Sequence, residues 1–165
     1  MEANRIVRAS TVSPGASLGV ATEDAPILLA EDDAELRGLI AHALREAGHA
    51  VLEAGNGFEL LDRIEAAIAW GEPARPPISL IISDVRMPGM TGIDVLSVLR
   101  CAYWATPVIL MSAFADATLR GEAWELGAAA VIAKPFGMEE LLDAARVALR
   151  RSASSTRKAG TLRAL

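Results

Sequence analysis

Five short apolar runs alternate with five stretches that carry apolar residues at helical spacing, and this alternation limits the fold more tightly than any single motif in the chain. The runs lie at 27–30 (ILLA), 50–53 (AVLE), 78–83 (ISLIIS), 108–111 (VILM) and 130–133 (AVIA). The helical stretches are 34–47, 58–70, 93–103, 116–126 and 138–150. The first carries Leu36, Leu39, Ile40, Ala43 and Leu44, the second Phe58, Leu61, Ile64 and Ile68, and the last Leu141, Leu142, Ala145 and Leu149. Gly48 and Gly127 close two of these helices, and Gly55-Asn56-Gly57 makes a turn. Residues 71–77 contain Pro73, Pro76 and Pro77, which lack an N–H and fix φ, so this segment reads as a loop. Runs that are apolar without alternation need cover on both faces, which implies a parallel sheet with helices on each side. Right-handed crossovers leave few connections. The expected fold is a doubly wound α/β sheet, flavodoxin-like (βα)5, with strand order 2-1-3-4-5.

The folded unit is expected over residues 26–150. Residues 1–25, rich in Ser, Thr, Ala, Gly and Pro and without sustained periodicity, read as a disordered leader. Residues 151–165 read as a basic, flexible tail. Charge divides at the same place: 26–149 holds 18 acids and 9 bases, a net of −9, while 150–165 holds five bases and no acid. An acidic body argues against direct nucleic-acid binding, which needs clustered Lys and Arg, and the tail reads as a solvated terminus. Apolar residues make up 52% of the chain, but charges interrupt every long apolar stretch, so neither a membrane span nor a secretory signal is expected. The single cysteine, Cys101, cannot form an internal disulfide, which fits a reducing compartment. The expectation is a soluble, cytoplasmic protein.

In a sheet of this kind ligands bind at the carboxyl ends of the strands, near the point where strand order reverses. Glu31, Asp32 and Asp33 follow the first strand, Glu53 closes the second, Asp84 follows the third, Ser112 the fourth and Lys134 the fifth. The expected order makes the first, third, fourth and fifth strands neighbours, so carboxylates, a hydroxyl and an ammonium should surround one depression. Clustered carboxylates repel unless a cation joins them, and a hard divalent ion with oxygen ligands, Mg2+, suits such a set. The same cation, with donors such as Ser112 and Lys134, serves an anionic nucleophile attacking a phosphoryl group. The nucleophile would be a carboxylate and the product an acyl phosphate. Among sixteen Lys plus Arg only Lys134 and Lys158 are lysines, so a compact ammonium at a strand end stands out against a chain that otherwise uses arginine. Pro135 could hold the preceding bond cis.

The runs ILLAEDDAELR, LIISDVRMPGMTGIDVL, PVILMSAFAD and VIAKPF, in this order and spacing, resemble the signature segments of response-regulator receiver domains of the CheY-like superfamily. The resemblance covers about residues 26–150. It implies that Asp84 is the phosphoacceptor. Glu31 and Asp32 would hold Mg2+ with Asp84 and the backbone carbonyl of Arg86, Asp32 more directly and Glu31 mainly through water. Ser112 and Lys134 would contact the phosphoryl group. Asp33 would cap the first helix. It also implies a histidine kinase or histidine phosphotransfer protein as phosphoryl donor or acceptor. The output would be a downstream protein meeting the face of helix 4, strand 5 and helix 5, with a second copy of the chain as another admissible partner. The chain departs from the family at its switch position, where Val131 stands in place of an aromatic residue. Arg86 and Phe114, two residues beyond Asp84 and Ser112, flank the path of the water that removes the phosphate, and their bulk predicts slow dephosphorylation.

The resulting expectation is a stand-alone phosphorylation switch without enzymatic output, with a phosphorelay intermediate and a phosphate-independent interaction module as alternatives. A haloacid-dehalogenase-type phosphatase would need an aspartate two residues after the nucleophile, where Arg86 stands, and no G-x-G-x-x-G follows the first strand to bind a dinucleotide. Met87, Met90 and Met111 read as packing, as does Cys101 on the third helix. His42 and His49 read as bystanders, and Trp124 as a partly buried anchor, with a place on a partner surface as the alternative.

Overall fold

Parallel pairing in the register Ile27↔Val51, Ile27↔Leu80, Ile81↔Val108 and Ile109↔Ala130 builds one five-stranded sheet. In this computed structural model, which describes residues 25–70, 78–102 and 104–162, the strands are β1 (Ile27–Ala30), β2 (Val51–Ala54), β3 (Leu80–Asp84), β4 (Val108–Ser112) and β5 (Ala130–Ala133). Their order is β2-β1-β3-β4-β5, as expected from the sequence. The helices are α1 (Ala34–Glu46), α2 (Gly57–Trp70), α3 (Gly92–Cys101), α4 (Ala117–Glu125) and α5 (Met138–Leu162).

The period-2 geometry of a strand sends alternate side chains to opposite faces, and here both faces are dry. Ile27, Leu29, Leu80, Ile82, Ile109 and Met111 pack with Ile40 and Leu44 of α1 and Leu141 and Ala145 of α5. Leu28, Ile81, Val108 and Leu110 pack with Leu60 of α2, Leu96 of α3 and Ala123 of α4. Every residue of β1, β3 and β4 is buried, and each fully buried Leu or Ile contributes roughly 1.5–3 kcal/mol. These three strands form the rigid centre that carries the site.

Because all strands run the same way, their last residues gather at one edge. Asp84 lies opposite Met111, and Ser112 opposite Ala133. The ladder continues one step further, with Lys134 N–H donating to the Ser112 carbonyl at 2.8 Å. Asp33 caps α1, its carboxylate accepting from the backbone N–H groups of Glu35 and Leu36. The Lys134–Pro135 bond is cis.

Several details differ from the sequence reading. Asp84 and Ser112 are the final residues of β3 and β4 rather than the first residues after them. Helix α5 continues to Leu162, through most of the segment expected to be a flexible tail after residue 150. No proline interrupts 151–162, and Ala, Arg and Lys there are good helix formers. Leu39 and Phe58, placed on inner helical stripes, are 62% and 60% exposed; in α1, Ala41 takes the inner position beside Ile40 and Leu44. Cys101 is exposed at the end of α3 instead of packed, and Trp124 is 65% exposed rather than a partly buried anchor. Met87 and Met111 are buried as expected. The loop expected at 71–77 and the leader up to residue 24 lie outside the described residues.

Gly92 fixes the approach of α3 to the site. A Cβ at this position would collide with the Asp84 carbonyl and crowd the Ser83 hydroxyl. Gly92→Ala is expected to destabilise the fold by about 2 kcal/mol, the usual cost of overpacking against an unyielding neighbour. A urea titration followed by far-UV circular dichroism measures this.

Candidate functional site

The carboxyl edge of the sheet brings together four of the side chains that the sequence singles out. Glu31, the residue after β1, is 1% exposed, Asp84 at the tip of β3 is 7% exposed, and Ser112 at the tip of β4 is 2% exposed. Lys134, the residue after β5, reaches across the sheet edge. Its Nζ donates to Glu31 Oε2 at 2.7 Å and to Asp84 Oδ2 at 2.9 Å. An ammonium carries three N–H donors, so two are engaged by carboxylates and one is available for a further acceptor.

The electrostatics follow from this geometry. Burial of Glu31 pushes its carboxyl pKa up; the Lys134 hydrogen bond opposes this and the nearby Asp84 charge adds to it, leaving the pKa raised. Burial acts against the Lys134 ammonium, but its hydrogen bonds to Glu31 and Asp84 and the charge of both carboxylates outweigh it, and its pKa is raised. The two carboxylates thus favour the charged form of Lys134, while burial of Glu31 works against its own ionisation.

Asp32 is exposed beside this pair. Carboxylate oxygens of Glu31, Asp32 and Asp84 lie within 4.8 Å of one another, a hard, all-oxygen donor set. With all three ionised, three negative charges face one ammonium, so a divalent cation fits the charge as well as the donor type. The donor chemistry therefore suits Mg2+. Arg86 is placed beside the cluster by its N–H, which donates to Asp84 Oδ1 at 3.3 Å.

Ser112 Oγ accepts from Phe114 N–H at 3.1 Å, which leaves the hydroxyl proton free to donate elsewhere. Val131, where the sequence places the switch position, is half-buried and packs against the core under α2, α3 and α4. His42 is exposed and outside the site.

Three features were not read from the sequence. The first is that Glu31 pairs directly with Lys134, 103 residues away. The second is that the Arg86 guanidinium stacks on the Phe114 ring, 4.6 Å from its centroid. The third is Arg120, whose Nε donates to the Ala115 carbonyl at 2.9 Å and Nη1 to the Val131 carbonyl at 3.4 Å. None has a contiguous sequence pattern: the first two join different strand–helix loops, and the third joins α4 to the segment before it and to β5.

A doubly wound five-stranded sheet that gathers an acid cluster, a hydroxyl and a lysine at one edge defines a class of signalling module. Comparison with known proteins agrees. The model of the response regulator receiver domain matches residues 27–146. The response regulator protein FleR of Pseudomonas aeruginosa is 41% identical over 119 residues, 72% of this chain and 23% of FleR. The transcriptional regulatory protein PdtaR of Mycobacterium tuberculosis is 36% identical over 126 residues, 76% of this chain and 57% of PdtaR. Among solved structures, the chemotaxis protein CheY4 of Vibrio cholerae superimposes with a TM-score of 0.66 at 28% identity, covering 76% of this chain and 98% of CheY4. The receiver domain of the Francisella response regulator 1452 gives 0.68 at 27% identity, covering 78% and 99%. The chain belongs to the response regulator receiver domain family, whose members act in two-component signalling. It spans 23% of FleR and just over half of PdtaR. Among the described residues no helix is long and apolar enough to cross a membrane.

Replacing Lys134 by Met keeps the chain length of the side chain and removes the charge. In Mg2+-free buffer near neutral pH, Lys134→Met is expected to lose about 3 kcal/mol of stability, the low end of the cost of stripping one member from a buried ion pair. The deficit should shrink in acid. The Glu31 pKa is already raised and rises further without the ammonium. A raised carboxyl favours the folded state below its unfolded value, and that advantage is lost as pH climbs through the folded value. Denaturant titrations of both proteins from acid to neutral pH should show the gap widening upward.

Proposed function

We propose that Asp84 accepts a phosphoryl group from a phosphohistidine, supplied by a histidine kinase or a histidine phosphotransfer protein, and that the phosphorylated form signals to a downstream protein through the face of α4, β5 and α5. The observation that carries this reading is the single ammonium of Lys134 bonded at once to Glu31 and Asp84, at 2.7 and 2.9 Å. A carboxylate held at a strand tip beside a lysine and two more acids is poised for transfer of an anionic group, not merely for capping a strand.

In the reaction, an Asp84 carboxylate oxygen attacks phosphorus, the P–N bond of the donor breaks, and the imidazole keeps the electron pair and regains a proton from solvent. The third N–H of Lys134 donates to a phosphoryl oxygen, and the Ser112 hydroxyl donates to another. Asp32, Asp84, the Arg86 carbonyl and, through water, Glu31 would hold Mg2+. When bound, that ion offsets the negative charge shared by the attacking carboxylate and the phosphoryl oxygens. Buried Glu31 keeps Lys134 charged and aimed at Asp84 throughout. Charge redistribution on Asp84 then shifts the balance between two conformations of the domain.

Incubation with Mg2+ and acetyl phosphate, read by intact mass, should add one phosphoryl group to the wild type and none to Asp84→Asn. A wild type that gains no mass, or an Asp84→Asn variant that gains as much, overturns the assignment.

Arg86 is stacked on Phe114, and the bulk of the pair would hinder the approach of water to a phosphoryl group on Asp84. Arg86→Asn and Phe114→Ala are each expected to shorten the half-life of the phosphorylated form on the order of tenfold, about 1.4 kcal/mol of barrier. Loss of the phosphoryl mass with time measures this, and an unchanged or longer half-life counts against it.

A further inference from the structure

A signal that begins at Asp84 needs a physical route to the outer face of β5, and residue 131 does not offer one through its side chain. Val131 is short, half-buried and packed against the core, so it has no alternative position to swing into. The contacts around the site supply another route.

Two hydrogen bonds at the site are sensitive to a phosphoryl group on Asp84. One is Arg86 N–H to Asp84 Oδ1, which weakens when the carboxylate charge is spent on the P–O bond. The other is Phe114 N–H to Ser112 Oγ, which is strained or dragged when the Ser112 hydroxyl turns to a phosphoryl oxygen. The residues that donate these two bonds are stacked on each other, the Arg86 guanidinium 4.6 Å from the centre of the Phe114 ring. Both perturbations therefore converge on one contact.

That contact is tied onward. Ala115, the next residue, offers its carbonyl to Arg120 Nε at 2.9 Å, and Nη1 of the same guanidinium reaches the Val131 carbonyl at 3.4 Å. Arg120 stands on α4 and Val131 on β5. The planar fork of an arginine joins two acceptors at a fixed spacing, so displacement of the 113–116 segment pulls on the backbone of β5 directly. Phe114 is 63% exposed, so its ring can be displaced without opening the core.

We infer that the Arg86–Phe114 stack is a latch, and that phosphorylation is transmitted from it through Arg120 to the β5 backbone, in place of a side-chain rotation at residue 131. This rests on the reading of Asp84 as phosphoacceptor. Arg86, Phe114 and Arg120 are positioning residues in this scheme. None forms a bond to phosphorus.

The test reads phosphorylation and transmission separately. Hydrogen–deuterium exchange of the peptides covering 113–120 and 129–133 is measured with and without Mg2+ and acetyl phosphate, while intact mass gives the phosphorylated fraction. In the wild type, phosphorylation should change exchange in both segments. Arg120→Ala should keep the response of 113–120 and lose that of 129–133. Phe114→Leu, which keeps apolar bulk without a ring, and Arg86→Ala should take up phosphate, with the response at 129–133, divided by the phosphorylated fraction that intact mass gives, reduced about threefold, the effect expected from losing an exposed cation–π contact. Arg86→Lys, which can still place a cation over the ring, should restore much of it, and Val131→Ala should respond as the wild type does. Arg120→Ala, Phe114→Leu and Arg86→Ala proteins that take up phosphate and respond at 129–133 as fully as the wild type would overturn the latch alone. A wild type that takes up no phosphate overturns the reading of Asp84, and the latch with it.

Discussion

The Lys134 ammonium is the interaction on which the site depends. It bridges Glu31 and Asp84, two buried acids on different strands, and so supplies a counter-charge to the carboxylates gathered at the edge of an apolar sheet. Its position is a consequence of topology. Residues 31, 84 and 134 are far apart in the chain, and only a parallel sheet in which β1, β3, β4 and β5 are consecutive neighbours brings their strand ends to one side. A different strand order would leave Lys134 several strand spacings from its partners, with three acids and no counter-charge.

The two dry faces of the sheet make this arrangement rigid. β1, β3 and β4 have no exposed residue, and packing from helices on both sides fixes the strand tips that present Asp84 and Ser112. Arg86 and Phe114 are exposed, are placed by hydrogen bonds to the site, and touch each other across the gap between the β3 and β4 ends. The scaffold fixes the strand tips, and the two exposed side chains lie above them on the loops.

Much of this was legible from residue patterns. Apolar runs without alternation gave a doubly covered parallel sheet, because burial on both faces removes the polar half of the period. Strand ends then named Glu31, Asp84, Ser112 and Lys134, and the rarity of lysine in the chain drew attention to residue 134. What was not legible has physical causes. Helical periodicity tolerates a rotation of the stripe by one residue, which is how Leu39 was placed inside although Ala41 takes that face. The end of α5 carries no stop signal before residue 160, and its charge suggested a solvated tail when solvation and helix are compatible. The Arg86–Phe114 stack links two separate loops and the Arg120–Val131 bond links α4 to β5, and no one-dimensional pattern encodes such pairs.

The presence of only two lysines makes the central claim directly measurable. Side-chain NMR of the lysine Nζ and Cε groups should resolve two signals, assigned by substitution of Lys158. The account predicts that Lys134 titrates above the ordinary lysine range, while Lys158 serves as the internal comparison. It also predicts that the Lys134 signal shifts when Mg2+ and acetyl phosphate are added together and that the Lys158 signal does not. Two lysines that titrate alike, with neither responding to those additions, would mean that Lys134 does not bridge Glu31 and Asp84, and would contradict the account at its root.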